Sequence, residues 1–122
     1  MLAAHVELIL LLTGLATAGA LALFLAPVTT MKVLFGQAPG DPLNVSIARH
    51  WALLIFLVGG LLVYAAFHPE IRVPTLVLAI VEKAAFALGM LTSPLRRRAA
   101  VLCMALADAG MAALYLMVLA GV

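Results

Sequence analysis

The chain has 122 residues, 67% of them hydrophobic and 10% charged, with a formal net charge of +2; its mean hydropathy is +1.28 and its isoelectric point about 9.1. Soluble domains average about 45–50% apolar and about 25% charged residues, so this composition excludes a water-soluble fold and makes lipid the expected solvent. The basic residues are few and lie mostly near expected helix ends, which argues for topology determinants and against a nucleic-acid surface.

The first expected transmembrane helix covers residues 4–26. It lacks the basic start of a signal peptide, its first charge being Glu7, and its apolar run exceeds the usual signal length of about 7–15 residues. Gly14, Ala18 and Ala22 recur every four positions, a spacing that lets two helices approach closely. Pro27 opens the longest connection. There Thr29 or Thr30 is expected to cap a short interfacial helix, MKVLF, which Gly36 ends. A turn follows at residues 37–40.

Asp41 as N-cap and Pro42 at the first helical position predict a second helix over 42–67. Arg49 is placed to snorkel to the interface and Trp51 to join an aromatic belt. Gly59-Gly60 predicts a close contact or a mild kink, and His68-Pro69 a stop. The short connection at 68–73 implies an antiparallel hairpin. A third helix is expected over 74–92, starting at Pro74. Ser93-Pro94 ends it and caps a fourth over 94–120, with Arg96, Arg97 and Arg98 in its first turns. The expected fold is all-α: a four-transmembrane-helix antiparallel bundle forming a single membrane domain over 1–122. Lys32, Arg49, Arg96, Arg97 and Arg98 fall on one side and Arg72 on the other. The positive-inside rule then puts both termini outside, in a bacterial inner membrane given the Ala/Leu/Arg-rich composition.

Glu82 and Lys83 sit near the middle of the third apolar stretch and Asp108 near the middle of the fourth. Glu82 lies 12 positions before Pro94 and Asp108 14 after it, so their depths match to within a helical turn. A cluster of Lys83 with Asp108, or of all three, relieves part of the cost of charges in lipid. Adjacent helical residues point about 100° apart, so Glu82 and Lys83 are each expected to face a different neighbour. Either a structural clamp or a functional site satisfies this pattern. A functional site means proton or ion coupling, or capture of a polar group on a lipid-soluble ligand. Tyr115, seven positions after Asp108, extends the same face; interfacial anchoring is its other reading.

Arg49 and His50 form a second candidate site, with His50 either an interfacial hydrogen-bonder or a haem or chlorophyll ligand. Arg96, Arg97 and Arg98 are orientation signals that also attract anionic lipid headgroups. His5 with Glu7, and His68 with Glu70, have spacings too unspecific to assign a metal site. Cys103 is the sole cysteine, which excludes an intramolecular disulfide; it is expected to be a small buried apolar residue. No nucleotide-binding or hydrolase motif occurs.

The segment NVSIARHWALLIFLVGGLLVYAAFHPEIR, through Ala48-Arg49, Gly59-Gly60, Pro69 and Arg72, resembles small four-helix bacterial membrane proteins of the DoxX-like kind. That resemblance implies a four-span fold. Some of these proteins are subunits of quinone-linked sulfur oxidation, but no catalytic residue carries over. The layout is also similar to four-span scaffolding proteins of sterol pathways, in architecture alone. Three classes follow: a midplane ligand or proton site on Glu82, Lys83, Asp108 and Tyr115; a non-catalytic scaffold or accessory subunit; and a quinone- or haem-linked redox subunit using His50 or His5. A homodimer is expected for so small a bundle. The sequence specifies no cofactor, substrate or reaction, and leaves open whether the protein is an enzyme.

Overall fold

The computed structural model describes residues 2–37 and 40–121. They are helical, with no strand among them. Four segments are long and apolar enough to cross a membrane: Val6–Leu25, Pro42–Phe67, Pro69–Leu91 and Ala99–Leu119.

The first segment departs from the single helix expected over 4–26. A 3-10 turn, Leu2–His5, precedes α1 (Val6–Ala18), and a break at residues 19–20 separates it from α2 (Leu21–Leu25). The amides of Gly19 and Ala20 bond three residues back, to Ala16 and Thr17. Just before the break, the hydroxyls of Thr13 and Thr17 donate to the carbonyls four residues earlier, at 2.7 and 2.8 Å, contacts that loosen and bend a helix. Ala26 takes φ −135° and ψ 71°, since the residue before a proline avoids helical geometry.

α3 (Pro27–Phe35) therefore starts earlier than expected, with Pro27 in its first turn and no threonine cap. Thr30 donates to the Ala22 carbonyl instead, at 3.1 Å. Gly36 ends α3 at φ 77°, where a side chain is strained. The turn expected at 37–40 falls partly outside the described residues.

α4 (Pro42–Phe67) is capped by Asp41, whose carboxylate accepts from the Asn44 amide at 3.2 Å and from its side chain at 2.7 Å. These bonds hold the Asp41 carboxyl below its ordinary 3.8. After a 3-10 turn, Pro69–Ile71, α5 (Arg72–Leu91) begins two residues before Pro74. In the first turn a missing N–H removes no helical bond, so Pro74 does not mark the start. Arg72 reaches back to the last carbonyls of α4, Ala65 and Ala66, at 2.8 and 2.7 Å. The three arginines lie before α6 (Ala99–Leu119) rather than in it. Pro94–Arg97 form a separate 3-10 turn, and Arg98 is extended.

α1 packs mainly on α4, and α5 on α6; α4 also contacts α5 and α2. α1 and α4 cross at Gly14 and Gly59. A Cβ on Gly59 would lie 2.5 Å from the Ala18 amide nitrogen, whereas one on Gly60 would meet nothing within 4 Å. The dense core occupies the end of the helices where α1 starts and α6 finishes. Leu10, Leu62, Ala65, Leu76, Ala79 and Tyr115 meet there. Many large apolar side chains remain exposed on the outer faces, among them Leu8, Leu12, Leu57 and Leu116.

Candidate functional site

The inward face of α5 carries Leu76, Ala79, Lys83 and Ala87. The two alanines, one turn either side of Lys83, leave room for its long side chain, which is only 2% exposed. Its ammonium crosses to α1 and donates to Thr17 Oγ1 at 2.8 Å. On α6, Asp108 Oδ1 accepts from it at 3.4 Å. Glu82 Oε1 comes within 3.9 Å, so the two neighbours on α5 converge where they were expected to diverge. Both side chains are long enough to close the angle between them. This Glu82 oxygen is buried and has no hydrogen-bond partner among the described residues, a costly state for a polar atom.

The hydroxyl protons nearby are already committed. Thr17 donates to the Thr13 carbonyl, and its oxygen receives the lysine. With all three groups ionised, Glu82, Lys83 and Asp108 sum to a formal charge of −1.

Beside this cluster lies a cavity of about 470 Å³. Thr17, Lys83 and Asp108 form its polar end; Leu23, Leu34, Phe35, Ile55, Phe86 and Met104 are among its apolar walls. α3 contributes to that wall, and Trp51 stacks on Phe86 with ring centroids 5.8 Å apart. The cavity thus sits in the half of the molecule away from the dense core. A second, apolar cavity of about 560 Å³ shares Phe35 and Trp51 and reaches Asn44 and Leu95.

Of the residues singled out in the sequence, Glu82, Lys83 and Asp108 come together. Tyr115 does not join the cavity wall. It is fully buried in the core, which excludes interfacial anchoring, and its hydroxyl makes no hydrogen bond among the described residues. Arg49 and His50 are exposed on α4 and outside both cavity walls.

Arg96 donates to the Leu91 carbonyl at 3.3 Å. Arg98 donates to the carbonyls of Val33 and Leu34, both at 2.9 Å, and so caps α3. Arg97 has no hydrogen bond or ion pair among the described residues. Cys103 is exposed rather than buried, since it falls on the outer face of α6. His68 stacks on Tyr64 at 3.8 Å. No three His, Cys, Asp or Glu side chains among the described residues converge as metal ligands would.

Thr17 is the site residue that sequence reasoning missed. Its signal was present: Thr13 and Thr17, four apart, are hydroxyls on one face of an otherwise apolar stretch. Compared with protein-family models, curated proteins and solved structures, the chain matches none.

Proposed function

We propose that this is a multi-pass membrane protein whose cavity holds one small lipid-soluble molecule, with the polar group of that molecule at Lys83 and Asp108. The observation that carries the reading is the cavity of about 470 Å³, polar at one end and apolar elsewhere. That is the usual form of a small-molecule site. Ionisable residues within an apolar span generally mark a functional position.

In this reading the four apolar segments form an antiparallel bundle in a bacterial inner membrane, with both termini outside, and Glu82, Lys83 and Asp108 lie near mid-depth. Any proton exchanged on binding passes through these groups. A homodimer and kinship with DoxX-like proteins belong to the same proposal. The redox alternative has less support, because His50 is exposed away from the cavity and His5 lies in the 3-10 turn before α1. The scaffold alternative draws on the contacts around Lys83, which also suit a clamp between α1, α5 and α6.

Native mass spectrometry of protein purified in mild detergent, with extraction of what accompanies it, separates these readings. A stoichiometric lipid-soluble molecule, lost from a folded Asp108→Asn variant, is the expected result. Ligand-free wild type in one oligomeric state leaves the clamp.

A further inference from the structure

Resting on the cavity reading, we infer that the preferred ligand is a lipophilic amine, bound as its ammonium ion, rather than a neutral alcohol or a carboxylate. The donors and acceptors at the polar end decide this. The Thr17 hydroxyl donates to the Thr13 carbonyl, and that of Thr30, also in the wall, to the Ala22 carbonyl. The Lys83 ammonium is ringed by Thr17, Asp108 and Glu82 oxygens at 2.8, 3.4 and 3.9 Å.

Thr17 and Asp108 take two of the three ammonium N–H groups, and the Glu82 carboxylate, at 3.9 Å, would compete with an anion for the third. A carboxylate ligand would add a second negative charge to a cluster that stands at −1 when its three groups are ionised. Acceptors, by contrast, are in excess. Lys83 engages only Oδ1 of Asp108, and Oδ2 makes no hydrogen bond among the described residues. Behind the wall, Glu82 Oε1 is buried without a hydrogen-bond partner among the described residues. An ammonium group beside Asp108 supplies a donor for Oδ2 and a balancing positive charge.

The apolar walls fit the same class. Phe35, Trp51 and Phe86 are in the wall, and aromatic rings attract a cation within about 6 Å. Met104 and Met111 supply polarizable side chains that adapt to ligand shape. The titratable groups in the cavity wall are Lys83 from α5 and Asp108 from α6, with Glu82 behind Lys83 at 3.9 Å; the wall residues of α1, α2, α3 and α4 carry none.

Trp51 is the only tryptophan and lines the cavity, so its fluorescence reports occupancy. The full chain in phosphatidylcholine nanodiscs is titrated at neutral pH with dodecylamine, dodecanol and dodecanoate, probes that share one chain and differ in headgroup. An Ala107→Phe variant, which adds a ring at the α6 wall of the cavity, is the control for partitioning into lipid alone.

The expected result is saturable dodecylamine binding absent from Ala107→Phe, at least about tenfold tighter than either other probe, and reduced about tenfold by Asp108→Asn. Saturable binding that favours dodecanol or dodecanoate would overturn the amine assignment and leave the cavity reading standing. No saturable difference from Ala107→Phe for any of the probes counts against both. The ranking on wild type decides the ligand class even should Asp108→Asn fail to fold.

Discussion

The ammonium of Lys83 lies closer to the hydroxyl of Thr17, at 2.8 Å, than to the carboxylate of Asp108, at 3.4 Å. Its shortest polar contact is thus a neutral oxygen on α1, 66 positions away in sequence. Lys83 therefore ties α1 to the α5–α6 pair as well as neutralising charge.

Replacing Lys83 leaves two carboxyl groups and Thr17 without their common partner. Lys83→Met should lower stability in detergent by about 3–5 kcal/mol, the usual range for breaking a buried ion pair. Asp108→Asn should cost less, because Thr17 still receives the lysine. Thermal unfolding of the two variants and their combination measures the coupling. Simple additivity would show that Lys83 and Asp108 do not interact.

At the α1–α4 crossing, Gly59→Ala forces a methyl group against the Ala18 backbone. Backbone cannot swing aside as a side chain can, so destabilisation of about 1–3 kcal/mol is expected. Gly60→Ala, with open space around it, should be neutral or gain up to about 1 kcal/mol from helix propensity. Equal losses in the two variants would mean that no close crossing exists.

Tyr115→Phe removes a buried hydroxyl that has no hydrogen-bond partner among the described residues. Its unfolding midpoint should stay level or rise, since an unsatisfied buried polar group costs about 1–3 kcal/mol. A clear fall would reveal a partner for that hydroxyl.

Arg98→Ala should free the end of α3, and hydrogen exchange of residues 30–36 should speed up. Arg97→Ala, which removes no such bond, should leave exchange there unchanged. Arg98→Lys should rescue poorly, since one ammonium does not reproduce the planar guanidinium that reaches two carbonyls.

Hydrogen bonds from Asn44 lower the Asp41 carboxyl below 3.8. A lowered folded-state value means that the cap's contribution is complete above 3.8 and is lost as pH falls through the folded value. The stability difference between wild type and Asp41→Ala should therefore be constant near neutrality and vanish on acidification. Persistence of the full difference in strong acid would assign it to something other than the carboxylate.

The bounds of α4 are readable in the sequence because Asp41-Pro42 and His68-Pro69 are local signals that act on the backbone directly. The break in the first segment is not, because Gly19 looks like any small residue in an apolar run and the bend depends on threonine back-bonding. Pro74 misleads for a physical reason, since a first-turn proline is compatible with a helix that began earlier. The three charges could be placed at similar depth by counting from the turn between α5 and α6. Their convergence on Thr17 depends on the packing of α1 against the rest, which spacing does not encode. Nor do apolar letters distinguish the densely packed half around Tyr115 from the half that contains the cavity.

The grip of Arg98 on α3 joins positions 64 and 65 residues apart. A chain made from its N-terminus completes α3 long before Arg98 is synthesised. Until then the Val33 and Leu34 carbonyls must find other partners. Closure of this corner is therefore a late step in biogenesis, and a nascent chain stalled before Arg98 would leave one wall of the cavity unfastened.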